Sequence, residues 1–432
     1  MLQSIFRRIL YSLSIIPAFL ALLLVLAGDS YLPPSTTDKV HMYTAPYEFD
    51  FISWEADAIW AKGLQFLLGD ERYLSEADRH DMVLNYDRLL DSIFADESNL
   101  AKIFSDPAVS NPMQASTSLR ETLAQKRRRQ AGEQSVVESI LQSQVSAELN
   151  AQGFSIGGEA LPPVLFRYSQ IPLGLVISPR NVIRQDANIQ LIPGLTLEQQ
   201  IELESEVEKN LNVSALVVPL GGLGTYPTMI MESSWLNWIV EAVSHEWTHI
   251  YLYFTPLGQQ YETGGDMRTI NETAASLVGK QIGAMVIEHN YPELVPPPPP
   301  PLATPESSSQ AASQPPAFDY SHEMYITRVE ADRLLAAGQI DAAEKYMEAR
   351  RVFIMEHVAE HGNYIRRLNQ AFFAFYGTYA DTPGERGEDP VGPAVVKLYN
   401  QCPTVGAFLR AISKVTTFRQ LQGLTAAGGQ CG

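Results

Sequence analysis

His245-Glu246-Trp247-Thr248-His249 is an H-E-x-x-H motif and the most informative segment of this chain. Apolar residues recur at helical spacing around it, which predicts a helix whose start Ser233 and Ser234 can cap. On a helix, residues four apart share a face, so the two imidazoles can reach one zinc ion. Glu246 can then hold and deprotonate a zinc-bound water. The pattern implies hydrolysis of a peptide bond or a related amide.

A catalytic zinc site needs a third protein ligand, and the sequence offers Glu272. Thr255-Pro256-Leu257-Gly258 is expected to end the first helix, and a second helical stretch follows. Glu272 lies on this second stretch, 22 intervening residues after His249, among small side chains. Because small residues allow two helices to pack closely, we expect its carboxylate to reach the metal.

The pairing of His245-Glu246-x-x-His249 with Asn271-Glu272-x-x-Ala275 resembles the gluzincin clan of zinc metallopeptidases, which includes thermolysin and the membrane alanyl aminopeptidases. The resemblance covers about residues 205–290. It implies that His245, His249 and Glu272 bind zinc and that Glu246 is the general base. The strand region before the motif helix is similar to the edge strand that receives substrate in such enzymes.

Gluzincins also use a Tyr or His as a hydrogen-bond donor in the transition state. The candidates for this role in the present chain are Tyr364, Tyr376, Tyr379 and His361. The C-terminal half is faintly similar to a group of bacterial aminopeptidase-like proteins. In gluzincins a helical C-terminal part commonly closes one wall of the cleft.

Several departures limit the resemblance. Position 255 is Thr and no Met-turn follows, which excludes the metzincins. Thermolysin-type enzymes carry an Asp four residues after the third ligand, whereas this chain has Ser276. The hydrogen-bond partner of the zinc histidines is therefore unassigned. No Gly-Ala-Met-Glu-Asn-like motif is present, so the sequence leaves open whether cleavage is internal or terminal.

A second motif, His357-Val358-Ala359-Glu360-His361, has the reversed order H-x-x-E-H. Gly362 follows at once and weakens a helix there. No comparable small-residue segment with a third carboxylate comes after it. We interpret this motif as the exposed face of a charged helix.

Residues 9–28 form an uncharged run of 20 residues, which is long enough to span a bilayer. Arg7 and Arg8 precede the run and Asp29 is the first charge after it. The positive-inside rule then predicts a single-pass protein of the cell membrane, with its N-terminus in the cytoplasm and its catalytic part outside. A cleaved signal peptide, and so a secreted protein, is the alternative, although Leu26-Ala27-Gly28 matches the A-x-A cleavage pattern poorly.

Charge and cysteine content exclude several classes of protein. Arg7 and Arg8 are two of the 31 basic residues, so the remainder of the chain has 29 basic and 49 acidic residues and a net charge of −20. Such a surface disfavours nucleic acid and anionic lipid. The chain has two cysteines, Cys402 and Cys431, which can form a structural disulfide outside the cytoplasm.

Periodicity predicts an α+β fold, with a zincin-like catalytic core that has a small mixed sheet and is flanked by mostly helical regions. The expected regions are an anchor or signal segment (1–28), an extended stem and helical region (29–155), the catalytic core (156–291), a Pro-rich linker (292–318) and a helical C-terminal region (319–432). Helices are predicted at 52–68, 75–94, 116–152 and 197–210, and strands at 164–168, 173–178, 189–192 and 215–220. Residues 221–224, rich in glycine, are expected to form a turn or bulge.

The sequence therefore predicts a membrane-anchored zinc metallopeptidase acting on a peptide or protein. A different hypothesis is a non-catalytic envelope protein that binds zinc or peptides. A third is an enzyme that uses the same metal on another bond, such as a peptidoglycan amide.

Overall fold

The computed structural model of this chain describes residues 35–106, 108–261, 263–297, 318–358, 365–379 and 382–426, with Gly428 and Cys431. Helices dominate this part of the chain and are accompanied by three small sheets, which confirms the α+β class. The helices are α1 Thr36–Thr44, α2 Phe51–Leu68, α3 Glu76–Ser105, α4 Pro112–Ala115, α5 Thr117–Ala151, α6 Leu197–Leu211, α7 Leu236–Tyr253, α8 Pro256–Gln259, α9 Gly265–Asn290, α10 Tyr320–Ala336, α11 Ile340–Val358, α12 Gln370–Tyr376, α13 Pro383–Arg386, α14 Val391–Gln401, α15 Val405–Ile412 and α16 Phe418–Ala426.

The strands are short and form three separate sheets: β1 Ser155–Ile156, β2 Glu159–Ala160, β3 Phe166–Ser169, β4 Leu173–Pro179, β5 Ala187–Leu191, β6 Val213–Pro219, β7 Gly222–Leu223 and β8 Thr228–Met231. The sheet beside the motif helix α7 is mixed, because β8 pairs in parallel with β3 and antiparallel with β7. β7 is one of the two edge strands of this sheet. The residues expected to form a turn or bulge, 221–224, therefore include a short edge strand.

A second sheet, in the order β5-β4-β6, is antiparallel and covered on both faces. One face packs against α1 and α6, and the other against α12 and its helical neighbours. The extended stem expected from residue 29 is wrong for its later part, because residues 36–44 are helical. Ser35 and Asp38 form a capping box at the start of α1, and Val40 is fully buried against the sheet.

The largest apolar core surrounds α7 and α9, which cross at close range. It also receives side chains from α3 and α5 and from the C-terminal helices α14 to α16. A Cβ added at Gly279 of α9 would lie 2.9 Å from the Glu241 carbonyl oxygen and 3.0 Å from the His245 Cβ. The close approach expected from the small residues of this segment is therefore present. One apolar core includes side chains from the N-terminal helical region, the expected catalytic core and the C-terminal region.

Two local expectations differ from the structure. The N-cap of α7 is Trp235, and neither Ser233 nor Ser234 caps the helix with its side chain. Ser233 instead accepts a hydrogen bond from the Trp235 backbone N–H, which shapes the turn before the helix. α3 continues to Ser105, eleven residues past the expected end.

Two further expectations concern the chain's ends. Cys402 and Cys431 are joined in a disulfide. Within the described ranges, no helix combines the length and the hydropathy needed to cross a bilayer. The expected anchor, residues 9–28, and most of the Pro-rich linker lie outside those ranges.

Candidate metal centre

The structure brings the three predicted ligands together at one point. His245 and His249 lie one turn apart on α7, and Glu272 reaches them from α9. The two Nε2 atoms lie 3.1 Å apart. Glu272 Oε2 is 3.6 Å from His245 Nε2 and 3.4 Å from His249 Nε2. Among the described residues, this is the group of His, Cys, Asp and Glu side chains that can hold a metal ion.

The spacing of the three donor atoms fits one small cation. Metal–nitrogen and metal–oxygen bonds of about 2.0–2.1 Å at tetrahedral angles separate donor atoms by about 3.3–3.4 Å. The observed separations of 3.1, 3.4 and 3.6 Å lie around that value. Two imidazoles and one carboxylate therefore converge at separations that suit a single ion.

Asn271 orients one of the histidines. Its Oδ1 lies 2.8 Å from His249 Nδ1, so the ring N–H donates to the amide oxygen. This hydrogen bond places the proton on Nδ1 and leaves the Nε2 lone pair directed at the metal position. The sequence left this partner unassigned. The sequence feature that could have identified Asn271 is its position immediately before Glu272, on the helix that carries the third predicted ligand.

Tyr261 orients the carboxylate ligand, and sequence reasoning gave it no role. Its hydroxyl donates to Glu272 Oε1 at 2.6 Å, which leaves Oε2 to face the two imidazoles. Burial alone would raise the pKa of Glu272, but the charges and hydrogen bonds of His249 and His245 hold it well below its usual range. Glu272 is thus an ionised, buried carboxylate with a polar partner on each of its oxygens.

His249 is shifted in the complementary direction. Burial alone would lower its pKa, but the neighbouring Glu272 and Glu246 carboxylates and the Asn271 hydrogen bond raise it to about 9. The buried carboxylates therefore create a strong attraction for positive charge at this point. A bound cation would satisfy it in place of a proton.

Glu246 lines the same cleft as the three candidate ligands but does not belong to their group. It is buried, and burial, opposed by the charges of His245 and His249, raises its pKa. Its carboxylate packs on the glycine backbone of the edge strand, since a Cβ added at Gly222 would lie 2.6 Å from Glu246 Oε1. A side chain at position 222 would occupy the space that this carboxylate uses.

Of the candidate transition-state hydrogen-bond donors that the structure describes, Tyr379 is the one that lies near the three candidate ligands. Its ring centroid is 6.4 Å from that of His245, and it lines the same cleft. Burial, with the nearby Glu272 carboxylate, raises its pKa well above the usual value, so the phenol keeps its proton at neutral pH. Buried Arg386 donates to the Tyr379 carbonyl oxygen at 2.8 Å and to Thr273 Oγ1 at 3.4 Å, which ties the Tyr379 loop to α9.

The other candidates for this role do not lie there. Tyr376 packs against the rings of Phe372 and Phe375 and does not line the cleft. Tyr364 and His361 fall outside the described residues. His357, the first residue of the reversed motif, lies in the last turn of α11. Its ring stacks on Phe318, and its Nδ1 is 2.7 Å from the Phe353 carbonyl oxygen. Glu360 is also outside the described residues.

The three candidate ligands lie in a cleft of about 1610 Å³. Its walls are largely apolar and include Leu161, Leu223, Ile250, Phe254 and Phe375. The described residues that line it include Glu55, Glu246 and Glu272 but neither Lys nor Arg. The cleft is therefore acidic, apolar and large enough for several residues of a peptide.

The chain matches no protein-family model, and comparisons with curated proteins and with solved structures find no match at all.

Proposed function

We propose that this chain is a zinc metallopeptidase of the gluzincin type, with a zincin-like core built on α7, α9 and the mixed sheet. The proposal is supported mainly by the donor atoms of His245, His249 and Glu272, which lie close enough together to bind one metal ion. They do so in a cleft that Glu246 also lines. Three ligands and a free carboxylate are the elements that metal-assisted hydrolysis needs.

The donor set favours zinc among the divalent ions. Two imidazoles suit zinc better than magnesium or calcium, which prefer oxygen ligands. Two histidines and one carboxylate can also hold iron, but an iron oxygenase has no need for a further buried carboxylate at the metal. When bound, zinc would polarise the scissile carbonyl and lower the pKa of a water toward about 7.

The roles of the protein's own residues follow from their positions. Glu246 accepts the proton of the attacking water and transfers it to the leaving amine, since its buried, raised-pKa carboxyl is suited to both steps. Tyr379, which stays protonated, donates a hydrogen bond to the carbonyl oxygen as negative charge develops there. Asn271 and Tyr261 keep His249 and Glu272 in their ligating orientations.

The cleft favours an extended, apolar peptide as substrate. β7 is an edge strand beside Glu246, so an extended chain can add to it through main-chain hydrogen bonds. Carboxypeptidases need a cation to hold the substrate's terminal carboxylate, and the described lining residues provide none. The lining therefore favours cleavage within a peptide or near its amino end. A site outside the cytoplasm, with residues 9–28 as anchor, is part of the proposal.

The proposal is tested by replacing Glu246 with Gln in the full-length protein and assaying a peptide library. We expect the variant to keep its metal and to lose turnover, because Gln keeps the shape but cannot accept a proton. Glu55→Gln is the matched control: it alters another cleft carboxylate and should keep most activity. Retained turnover in Glu246→Gln, or no peptide cleavage by metal-loaded wild type, would refute the enzymatic role and favour the peptide-binding alternative.

A further inference from the structure

α2 is an amphipathic helix whose polar side is buried and whose apolar side is exposed, the reverse of the usual arrangement in a soluble protein. Its buried side is formed by Ala58, Lys62 and Gln65. Lys62 Nζ donates to Glu138 at 2.5 Å and to Gln65 Oε1 at 2.9 Å, and the side chains of Lys62 and Glu138 are almost fully buried. Polar contacts, rather than apolar packing, thus attach this helix to the rest of the protein.

The outer side of α2 is apolar. Ile52, Trp60 and Leu67 are 85%, 70% and 78% exposed. At about 100° per residue, these three side chains and Ile59 project within an arc of about 100°. The charged residues of the helix, Glu55, Asp57 and Lys62, project outside that arc. Exposed apolar area of this kind marks a contact surface.

The face has the composition of a membrane-interface helix. Large aliphatic side chains are combined with Trp60, and Tyr73, 87% exposed, follows the end of the helix. Trp and Tyr are enriched at the level of lipid headgroups, while aliphatic chains enter the acyl boundary. The apolar arc carries no charge, and the strongly acidic chain would be repelled by anionic lipid, so a neutral bilayer fits best.

The anchor proposed above for residues 9–28 would also bring this helix near a bilayer. The apolar run at residues 9–28 is long enough to span one, and only six residues separate it from Ser35, where the described chain begins. Fully extended, those six residues span about 20–22 Å at most, at roughly 3.3–3.6 Å per residue. A protein held this close to lipid keeps its exposed apolar helix within reach of the membrane surface.

We propose that the outer face of α2 lies in the interface of a neutral lipid bilayer, with the helix axis parallel to the membrane plane. The proposal rests on the membrane anchor proposed above for residues 9–28, but it does not depend on metal binding or on catalysis. It has a consequence for the cleft, because Glu55 of the same helix lines it. The part of the cleft that Glu55 lines would then lie within about one helix diameter, or about 10–12 Å, of the lipid.

The test is spin labelling of the full-length protein in phosphatidylcholine nanodiscs. A single label is introduced through Leu67→Cys on the outer face of α2. The matched control is Val352→Cys on α11, which is also an exposed apolar position, 44% exposed, in the C-terminal region. The native cysteines are bonded to each other and leave the label to the new thiol. Collision rates with oxygen, which concentrates in lipid, and with a nickel chelate, which stays in water, are measured at both sites.

The proposal expects the oxygen-to-nickel ratio at position 67 to exceed that at position 352 several-fold. Equal ratios, with free access for the nickel chelate at both sites, would overturn it and show a face in water. Low access for both reagents at position 67 would also overturn it. That result would mean that protein covers the face, and dipolar broadening between labels would then identify a second copy of the chain as the cover.

Discussion

His249 Nδ1 lies 2.8 Å from Asn271 Oδ1, and the residue after Asn271 is the third predicted ligand, Glu272. One turn of α9 therefore supplies both the carboxylate that faces the metal position and the amide that orients a histidine toward it. The two contacts depend on the same helix-to-helix approach, so the ligand set and its support form together.

Removing that amide should weaken metal binding without abolishing it. We expect Asn271→Ala to lower zinc affinity by about 10–100-fold, because His249 loses the acceptor that fixes its tautomer. Asn271→Asp keeps an acceptor oxygen and should lose much less. Competition against a chromophoric chelator measures both affinities. Equal affinities in wild type and Asn271→Ala would contradict the assigned role.

Tyr379→Phe should reduce kcat by about 100–1000-fold while zinc stays bound, if its hydroxyl stabilises the developing oxyanion. KM should change little, since the ring remains. Tyr376→Phe is the control, because Tyr376 lies against Phe372 and Phe375 outside the cleft. Steady-state kinetics on a cleaved library peptide compare the two variants. A fall in kcat that is the same for both would argue against the role of Tyr379.

Gly222→Ala should separate base positioning from metal binding. The added methyl would lie 2.6 Å from Glu246 Oε1, so the carboxylate or the edge strand must move. We expect turnover to fall at least tenfold, the effect of about 1.4 kcal/mol on the barrier, with zinc content unchanged. Unchanged turnover would mean that Glu246 does not act from the position seen here.

Gly279→Ala should lower both stability and metal affinity. Its methyl would lie 2.9 Å from the Glu241 carbonyl oxygen, between α7 and α9, and overpacking of this kind costs about 1–3 kcal/mol. Gly423→Ala is the control, since a methyl at this helical glycine would meet nothing within 4 Å. Thermal unfolding should show a lower Tm for the first and an equal or higher Tm for the second. A Tm for Gly279→Ala at or above wild type would show that the helices tolerate separation.

Asp87 should make stability fall with rising pH. Burial, with the charge of Asp91, raises its pKa from 3.8 to about 7, and its Oδ1 has no hydrogen-bond partner among the described residues. Between these values the folded state holds a proton that the unfolded state has lost, so folding is progressively disfavoured as the pH rises. Asp87→Asn should therefore be more stable than wild type at about pH 8, and the gap should shrink steadily as the pH falls toward about 4. A gap that does not depend on pH would contradict the shifted carboxyl.

The ligands could be predicted because their geometry is local. Residues 245 and 249 share a face of any helix, and Glu272 needed only a second helix with small residues beside the first. Asn271 and Tyr261 could not be assigned, since their partners depend on how α7, α9 and the loop between them pack. The edge strand at Gly222 could not be predicted either, because a strand of two residues is too short to show an alternating pattern of apolar and polar residues.

The orientation of α2 shows a different limit. Its apolar spacing correctly indicated a helix, but periodicity alone assumes that apolar residues face the core. Here the buried side is polar because Lys62 meets Glu138, 76 residues further along the chain. Such a pairing is a property of the tertiary structure and cannot be read from the helix itself.

The most direct test of the account is the metal content of the full-length protein, measured by mass spectrometry for wild type, Glu272→Ala and the cleft control Glu55→Ala. We predict one zinc per chain in wild type and in Glu55→Ala, and a loss of bound zinc in Glu272→Ala. Folded wild-type protein that takes up no zinc, that selects iron instead, or that keeps its zinc without Glu272 would contradict the three-ligand zinc centre.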